Sequence, residues 1–260
     1  MKYYVVADVH SYLDELVRAL DEKGFFSDTE PHKLILCGDL FDRGDRPLEL
    51  QAFILDLMER DEVILIRGNH EDLLCEMLLH IDEYIPYIEY THHAQNGTFD
   101  TALALAQMTK QQAKAEPNRL RSAMAQTPFM TKILTAMVDY FETEHYIFVH
   151  GWIPCDVVRV GIEEKKRYFT SPKWREAGKK AWQSARWING MEAWKSGALE
   201  RGKTIACGHF HTSWGHSHLD GRGTEWGSDA IFEPFVHDGI IALDACTVRT
   251  GQVNVLVVED

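Results

Sequence analysis

The 260-residue chain is 45% apolar and 26% charged and carries a formal net charge of −13. That balance suits a globular protein with a sizeable core, whereas the acidic excess argues against broad binding to nucleic-acid backbones or anionic membranes. No apolar run approaches the ~20 residues of a membrane helix. The opening Met1-Lys2-Tyr3-Tyr4-Val5-Val6 reaches Asp8 too early for a signal-peptide apolar stretch. The cysteines at 37, 75, 155, 207 and 246 are odd in number and lack CxxC spacing, as expected of buried, reduced thiols. A cytoplasmic protein without nucleic-acid or membrane partners is the expectation, with oligomeric state left open.

Tyr3 to Ala7 predicts a strand. Ser11 stands where a helix N-cap belongs, Leu13, Leu16, Val17 and Leu20 follow at helical spacing, and Gly24 suits a stop. Lys33 to Cys37 predicts a second strand. Pro47 suits a first helical turn, with an apolar stripe through Leu50, Phe53, Ile54, Leu57 and Met58. Val63 to Ile66 predicts a third strand, followed by a helical pattern from Glu71 towards Ile81. Strand–helix alternation of this kind predicts an α/β layered core.

An Ala-, Gln- and Met-rich stretch from about Phe99 to Phe141, broken at Pro117 and Pro128, predicts two or three inserted helices. His145 to Val149 returns to strand character. A second helical insertion is expected from Trp152 to Arg201, its tryptophans 174, 182, 187 and 194 forming the core of a lid. Thr204 to Cys207, Ile240 to Leu243 and Val253 to Val258 read as closing strands. Without a repeat or a low-complexity linker, the expectation is one domain over 1–260, with helical insertions at about 82–144 and 152–203.

Five short motifs each follow a predicted strand: Asp8-Val9-His10, Gly38-Asp39-Leu40-Phe41-Asp42-Arg43-Gly44, Gly68-Asn69-His70-Glu71, His150-Gly151 and Gly208-His209-Phe210-His211. Residues just beyond the carboxyl ends of strands face a shared crevice in α/β sheets. Carboxylates, an amide and imidazoles without thiolates suit hard or borderline divalent metals. Singly, each motif has a plainer reading. Asn69 could hold a left-handed turn, Asp39 and Asp42 could cap, and His10 could pair with a helix N-terminus. Their order and joint placement favour metal ligation.

The ordered set D-x-H, GDxxDRG, GNHE, HG and GHxH resembles the calcineurin-like metallophosphoesterases, and its second and third motifs resemble the phosphoprotein phosphatase branch in a bacterial-type version. The resemblance implies an α-β-β-α layered β-sandwich flanked by helices. It implies that Asp8, His10 and His211 hold one ion, that Asn69, His150 and His209 hold another, and that Asp39 bridges the two. Mn²⁺ is the first expectation, with Fe²⁺ and Zn²⁺ also suited. A water activated by both cations would attack phosphorus, His70 would act as general acid oriented by Asp42, and Arg43 would clamp phosphate oxygens. Asn69 would also face the substrate.

A second phosphate-binding arginine is expected between the fourth and fifth motifs. Arg186 is the candidate, and stacking on Trp187 or Trp182 is its alternative. Arg67 reads as the partner of a carboxylate, and His216 and His218 as loop or rim residues. The chain departs from the family pattern at Ala-Asp-Val-His-Ser and at His-Gly-Trp, which is expected to place bulk near the site. The implied substrates are phosphorylated proteins or small phosphoesters, serine/threonine phosphatase activity coming first. Diadenosine tetraphosphate hydrolysis is the alternative, and a metal-binding scaffold without catalysis is an alternative of another class.

Overall fold

A computed structural model describes residues 1–160 and 165–260. Four segments form one sheet in the order β11-β1-β2-β3: β1 (Lys2–Val6), β2 (His32–Cys37), β3 (Val63–Ile66) and β11 (Leu256–Glu259). Strands β1, β2 and β3 are parallel, with Tyr4 opposite Leu34 and Ile35 opposite Ile64, while β11 closes the edge antiparallel to β1. The connecting helices are α1 (Leu13–Glu22) and α2 (Pro47–Glu59), and α3 (Asn69–Leu79) follows β3.

A second sheet runs β4-β5-β8-β10-β9, built from β4 (Phe141–Glu142), β5 (Tyr146–Phe148), β8 (Thr204–Cys207), β9 (Phe235–His237) and β10 (Ile240–Ala242). Its central three strands are parallel.

The two-residue period of the strands decides the layering. Tyr3, Val5, Ile35 and Cys37 point to an inner core shared with Phe148, Ala206 and Ile241 of the second sheet. Tyr4, Val6, Leu34 and Leu36 point the other way, into a core with Leu16, Leu20, Leu50 and Ile54 of the helices. On the far side, Ile147, Ile205 and Ile240 meet Trp152, Trp174 and Trp182. The result is the expected α-β-β-α sandwich. Each large apolar side chain so buried contributes about 1.5–3 kcal/mol.

Several local expectations need correction. Tyr12, not Ser11, occupies the N-cap of α1, and Ser11 is buried in a left-handed conformation (φ 61°) with its hydroxyl unpaired. The stretch from Phe99 to Phe141 holds more than two or three helices, because its pieces are short: Thr98–Leu105, Lys110–Ala115, Pro117–Met124 and Leu134–Ala136. Pro117 opens a helix rather than breaking one, since its missing N–H is an orphan in a first turn anyway. The second insertion is not wholly helical. It begins with an antiparallel hairpin of β6 (Cys155–Val160) and β7 (Lys165–Thr170), which suits its β-branched and aromatic residues, before Lys179–Ala185 and Gly190–Lys195 turn helical. Residues 161–164 of that insertion lie outside the described residues.

Candidate metal centre

The parallel strands deliver the five motifs to one place. The turns after β1 and β2 pair with each other: His10 N–H donates to the Asp39 carbonyl (3.0 Å), Ser11 N–H to Leu40 (2.8 Å) and Gly44 N–H to His10 (2.9 Å). Non-glycine residues with positive φ concentrate here, at Asp8, His10, Asp39, Asp42, Arg43 and His209. Such conformations persist where the surrounding packing over-determines them. Two glycines are needed for space. A Cβ on Gly38 (φ +78°) would meet Gly68 Cα at 2.6 Å and His150 Nδ1 at 2.7 Å, and one on Gly208 would collide with the Asp8 carboxylate.

Asp39 is the hub. With His10 and His70 it forms one group whose potential ligand atoms all lie within 4.8 Å of one another, and with His150 and His209 it forms a second. Its Oδ1 accepts His70 N–H at 3.0 Å and lies 3.3 Å from His150 Nε2. Burial alone would raise its pKa, but the surrounding imidazoles of His150, His70, His10 and His209 bring it below the usual carboxylate range. Asn69 joins through His150, whose Nδ1–H donates to the Cys37 carbonyl (2.8 Å), leaving a bare Nε2 only 2.7 Å from Asn69 Oδ1. Asn69 takes a helical place at the start of α3, which removes the left-handed-turn reading.

The donor set fits divalent cations. Burial pushes the pKa of both His10 and His209 down to about 3 and lowers that of His150, so these rings present unprotonated nitrogens. Asp8 shows the complementary sign. Burial first, then Asp244 and Asp39, raise its carboxyl well above the usual range. Excess buried acid beside neutral imidazoles is what bound cations would balance.

His70 is buried, and its Nδ1 lies 2.7 Å from Asp42 Oδ2. Burial lowers its pKa, but the carboxylates of Asp39 and Asp42 outweigh this and the net direction is upward. Arg43 is exposed at the rim, with its guanidinium 2.9 Å from His10 Nε2 and 3.1 Å from His70 Nε2.

Other expected residues lie differently. His211 joins neither group around Asp39: its ring contacts Ser213 (2.9 Å), Glu225 (3.4 Å) and Trp226. Asp8 also stands outside both groups, with Oδ2 accepting His209 N–H at 2.9 Å. Arg186 does not stack on a tryptophan. It is buried in ion pairs with Asp72 (2.6 Å) and Asp139. Arg67 pairs with Asp72 at 2.8 Å, as expected of a carboxylate partner. His216 is buried and helical in Thr212–His218, rather than a rim residue, because Phe235 and the Glu233 carbonyl cover it. Trp152 places no bulk at the site. It turns into the outer core and donates Nε1–H to the Ala198 carbonyl. The aromatic that does stand there is Trp187, 53% exposed and 5.8 Å from the His209 ring, so the lid-core expectation fails for this tryptophan.

Three further residues contribute to the centre. Glu71 accepts the backbone N–H groups of Gly68, Asp39 and Leu40 and so ties the turns after β2 and β3 together; burial raises its pKa to about 7. Its signal was present within Gly-Asn-His-Glu. Asp244 follows β10, and burial raises its pKa to about 6. The strand-end logic that located the other acids applies equally to Leu243-Asp244. Thr98, from the first insertion, donates to Asp42 Oδ2 at 2.7 Å, and no short motif announces it.

Known proteins resemble this chain in sequence and in fold. The chain is 26% identical over 162 residues to Bis(5'-nucleosyl)-tetraphosphatase PrpE [asymmetrical] of Bacillus subtilis (strain 168), covering 60% of this chain and 59% of that protein. It is 30% identical over 84 residues to the protein of that name from Bacillus velezensis, covering 30% and 34%. The chain thus spans about a third to three fifths of these curated relatives. Among solved structures, a cold-active protein-tyrosine phosphatase of a psychrophile Shewanella species superposes with TM-score 0.51 at 18% identity, over 100% of this chain and 75% of that one, a likeness of fold. The pattern described as Calcineurin-like phosphoesterase matches residues 1–241, and the chain belongs to that family.

Proposed function

We propose that the chain hydrolyses phosphoric esters or anhydrides with two divalent cations, Mn²⁺ first among them, held around Asp39. The carrying observation is that one buried carboxylate is shared by two imidazole groups while His70, on the adjacent helix α3, is braced by Asp42. Asp39, His10, Asn69, His150 and His209 would hold the ions, with Asp8 and His211 completing the set on the family pattern. Such ions, when bound, polarise phosphoryl oxygens and lower the pKa of water.

The chain's own residues do the rest. Arg43 presents a planar fork to phosphate oxygens, and turning towards them releases its contact with His70 Nε2. With Nδ1 held by Asp42, Nε2 is the atom that carries the proton to the leaving oxygen. Asp39 and Asp42 favour the protonated ring before reaction.

For the substrate, a dinucleoside polyphosphate stands ahead of phosphoserine or phosphothreonine protein. Both curated relatives compared above are named tetraphosphatases. The second reading, a phosphorylated side chain on a protein, rests on the likeness of Gly38–Gly44 and Gly68–Glu71 to the phosphoprotein phosphatase motifs.

Metal-stripped protein restored with Mn²⁺ should be assayed on diadenosine tetraphosphate, a phosphoserine peptide and p-nitrophenyl phosphate. Preference for the dinucleotide supports the first substrate reading, and preference for the peptide supports the second. Absence of Mn²⁺-dependent turnover on all three would sink the catalytic proposal for these substrates.

A further inference from the structure

A second place for a metal lies outside the centre described above. Glu76 on α3 and the consecutive His92 and His93 of the short helix His92–Gln95 bring their ligand atoms within 4.8 Å of one another. His93 has no exposed surface, and among the described residues neither of its ring nitrogens has a hydrogen-bond partner. Its Nε2 lies 2.9 Å from Glu76 Oε2, an oxygen that is likewise without a hydrogen bond, so the two approach closely but not along an N–H direction. The other Glu76 oxygen is taken by the Tyr84 hydroxyl at 2.7 Å, which fixes the carboxylate. The His92 ring lies 3.9 Å from that of His93, centroid to centroid, and is open to solvent.

A buried imidazole nitrogen without any partner, as His93 Nδ1 is among the described residues, is uncommon, because leaving it unpaired is costly. Two imidazoles and a carboxylate, with a solvent-facing side for water, are the ligands of a zinc-type ion. Burial and the neighbouring His92 ring also lower the pKa of His93, which favours the neutral ligand form. We propose that Glu76, His92 and His93 bind a third divalent ion of the zinc class.

The position suggests what the ion would do. Helix α3 begins with Asn69 and His70, and Glu76 lies about two turns further along it. Directly after His92–Gln95, Asn96 Oδ1 accepts from Arg43 at 3.4 Å and Thr98 donates to Asp42 at 2.7 Å. An ion on Glu76, His92 and His93 clamps the first insertion to the helix that carries His70. It ties that insertion to α3 and touches neither the Asp39 centre nor the substrate.

The test uses the full chain, stripped of metal, equilibrated with Zn²⁺, freed of loosely held ion and analysed for zinc per chain. Wild type is compared with His92→Ala and Glu76→Gln. One zinc fewer per chain in both variants is expected, together with loss of part of the Zn²⁺-induced rise in Tm. Turnover of p-nitrophenyl phosphate at saturating Mn²⁺ should stay within about twofold of wild type, which separates this ion from the Asp39 centre. Because His92 is exposed, His92→Ala keeps the test valid should Glu76→Gln fold poorly. Equal zinc content and an equal Tm rise in wild type and His92→Ala would overturn the proposal. So would loss of the zinc only together with Mn²⁺-dependent turnover.

Discussion

His70 Nδ1 stands 2.7 Å from Asp42 Oδ2, and that same oxygen accepts the Thr98 hydroxyl at 2.7 Å. The carboxylate thus orients the imidazole while being held by the first insertion. His70→Asn should lower kcat by about 10²–10⁴ for alkyl phosphates, the range of a lost general acid, and by much less for p-nitrophenyl phosphate, whose leaving group needs little protonation. Asp42→Asn removes one of the charges that raise the His70 pKa, so the alkaline limb of the pH–rate profile should move to lower pH. An equal loss on both leaving groups would argue against proton donation by His70.

Asp39→Asn should abolish turnover, because it weakens the residue common to both imidazole groups. Its diagnostic signature is stoichiometric. Calorimetric titration of stripped protein with Mn²⁺ should lose both high-affinity sites, whereas loss of one site would assign Asp39 to a single ion.

Removing metal should expose the contribution of Asp244 to the pH dependence of stability, and that contribution has a definite sign. Burial raises the folded-state pKa of Asp244 to about 6 from an ordinary value of 3.8. A raised folded pKa contributes stability that is fully present below the unfolded value and lost as pH rises through about 6. Asp244's own contribution is therefore lost between about pH 4 and 6, against the gain from His10 and His209, whose folded pKa of about 3 favours the native state as pH rises. Asp244→Asn should remove that loss of roughly 1–3 kcal/mol. Urea melts across this window check the prediction, and an unchanged slope in the variant would refute it.

The two candidate phosphate arginines should separate by kind of damage. Arg186 is buried between Asp72 and Asp139, so Arg186→Ala leaves uncompensated carboxylates and should cost about 3 kcal/mol. Arg43 is exposed, so Arg43→Ala should leave Tm nearly unchanged and raise KM or lower kcat. Thermal melts and kinetics on the same samples distinguish them. A stable Arg186→Ala with raised KM would instead assign Arg186 to substrate.

Much was legible in the sequence because it was local. Apolar runs such as Val63–Ile66 and Thr204–Cys207 became strands with the expected bounds, since a strand covered on both faces is written as an unbroken apolar run of consecutive residues. Asp8, His10, Asp39, Asn69, His70, His150 and His209 are each marked by their place just past a strand. Parallel pairing then carries them to one edge of the two sheets.

Tertiary structure alone decided the relations between distant segments. Nothing within Ser184–Gly190 shows that Arg186 meets Asp72 and Asp139, and nothing near Thr98 points to Asp42, because those partners are 114, 47 and 56 residues away. His211 turning to Glu225 and Trp152 turning into the outer core are likewise rotations of single side chains set by neighbours from other elements. Ligand types and their order are properties of short stretches. Which carboxylate faces which cation is settled only when the chain closes on itself, where burial makes each unpaired charge costly.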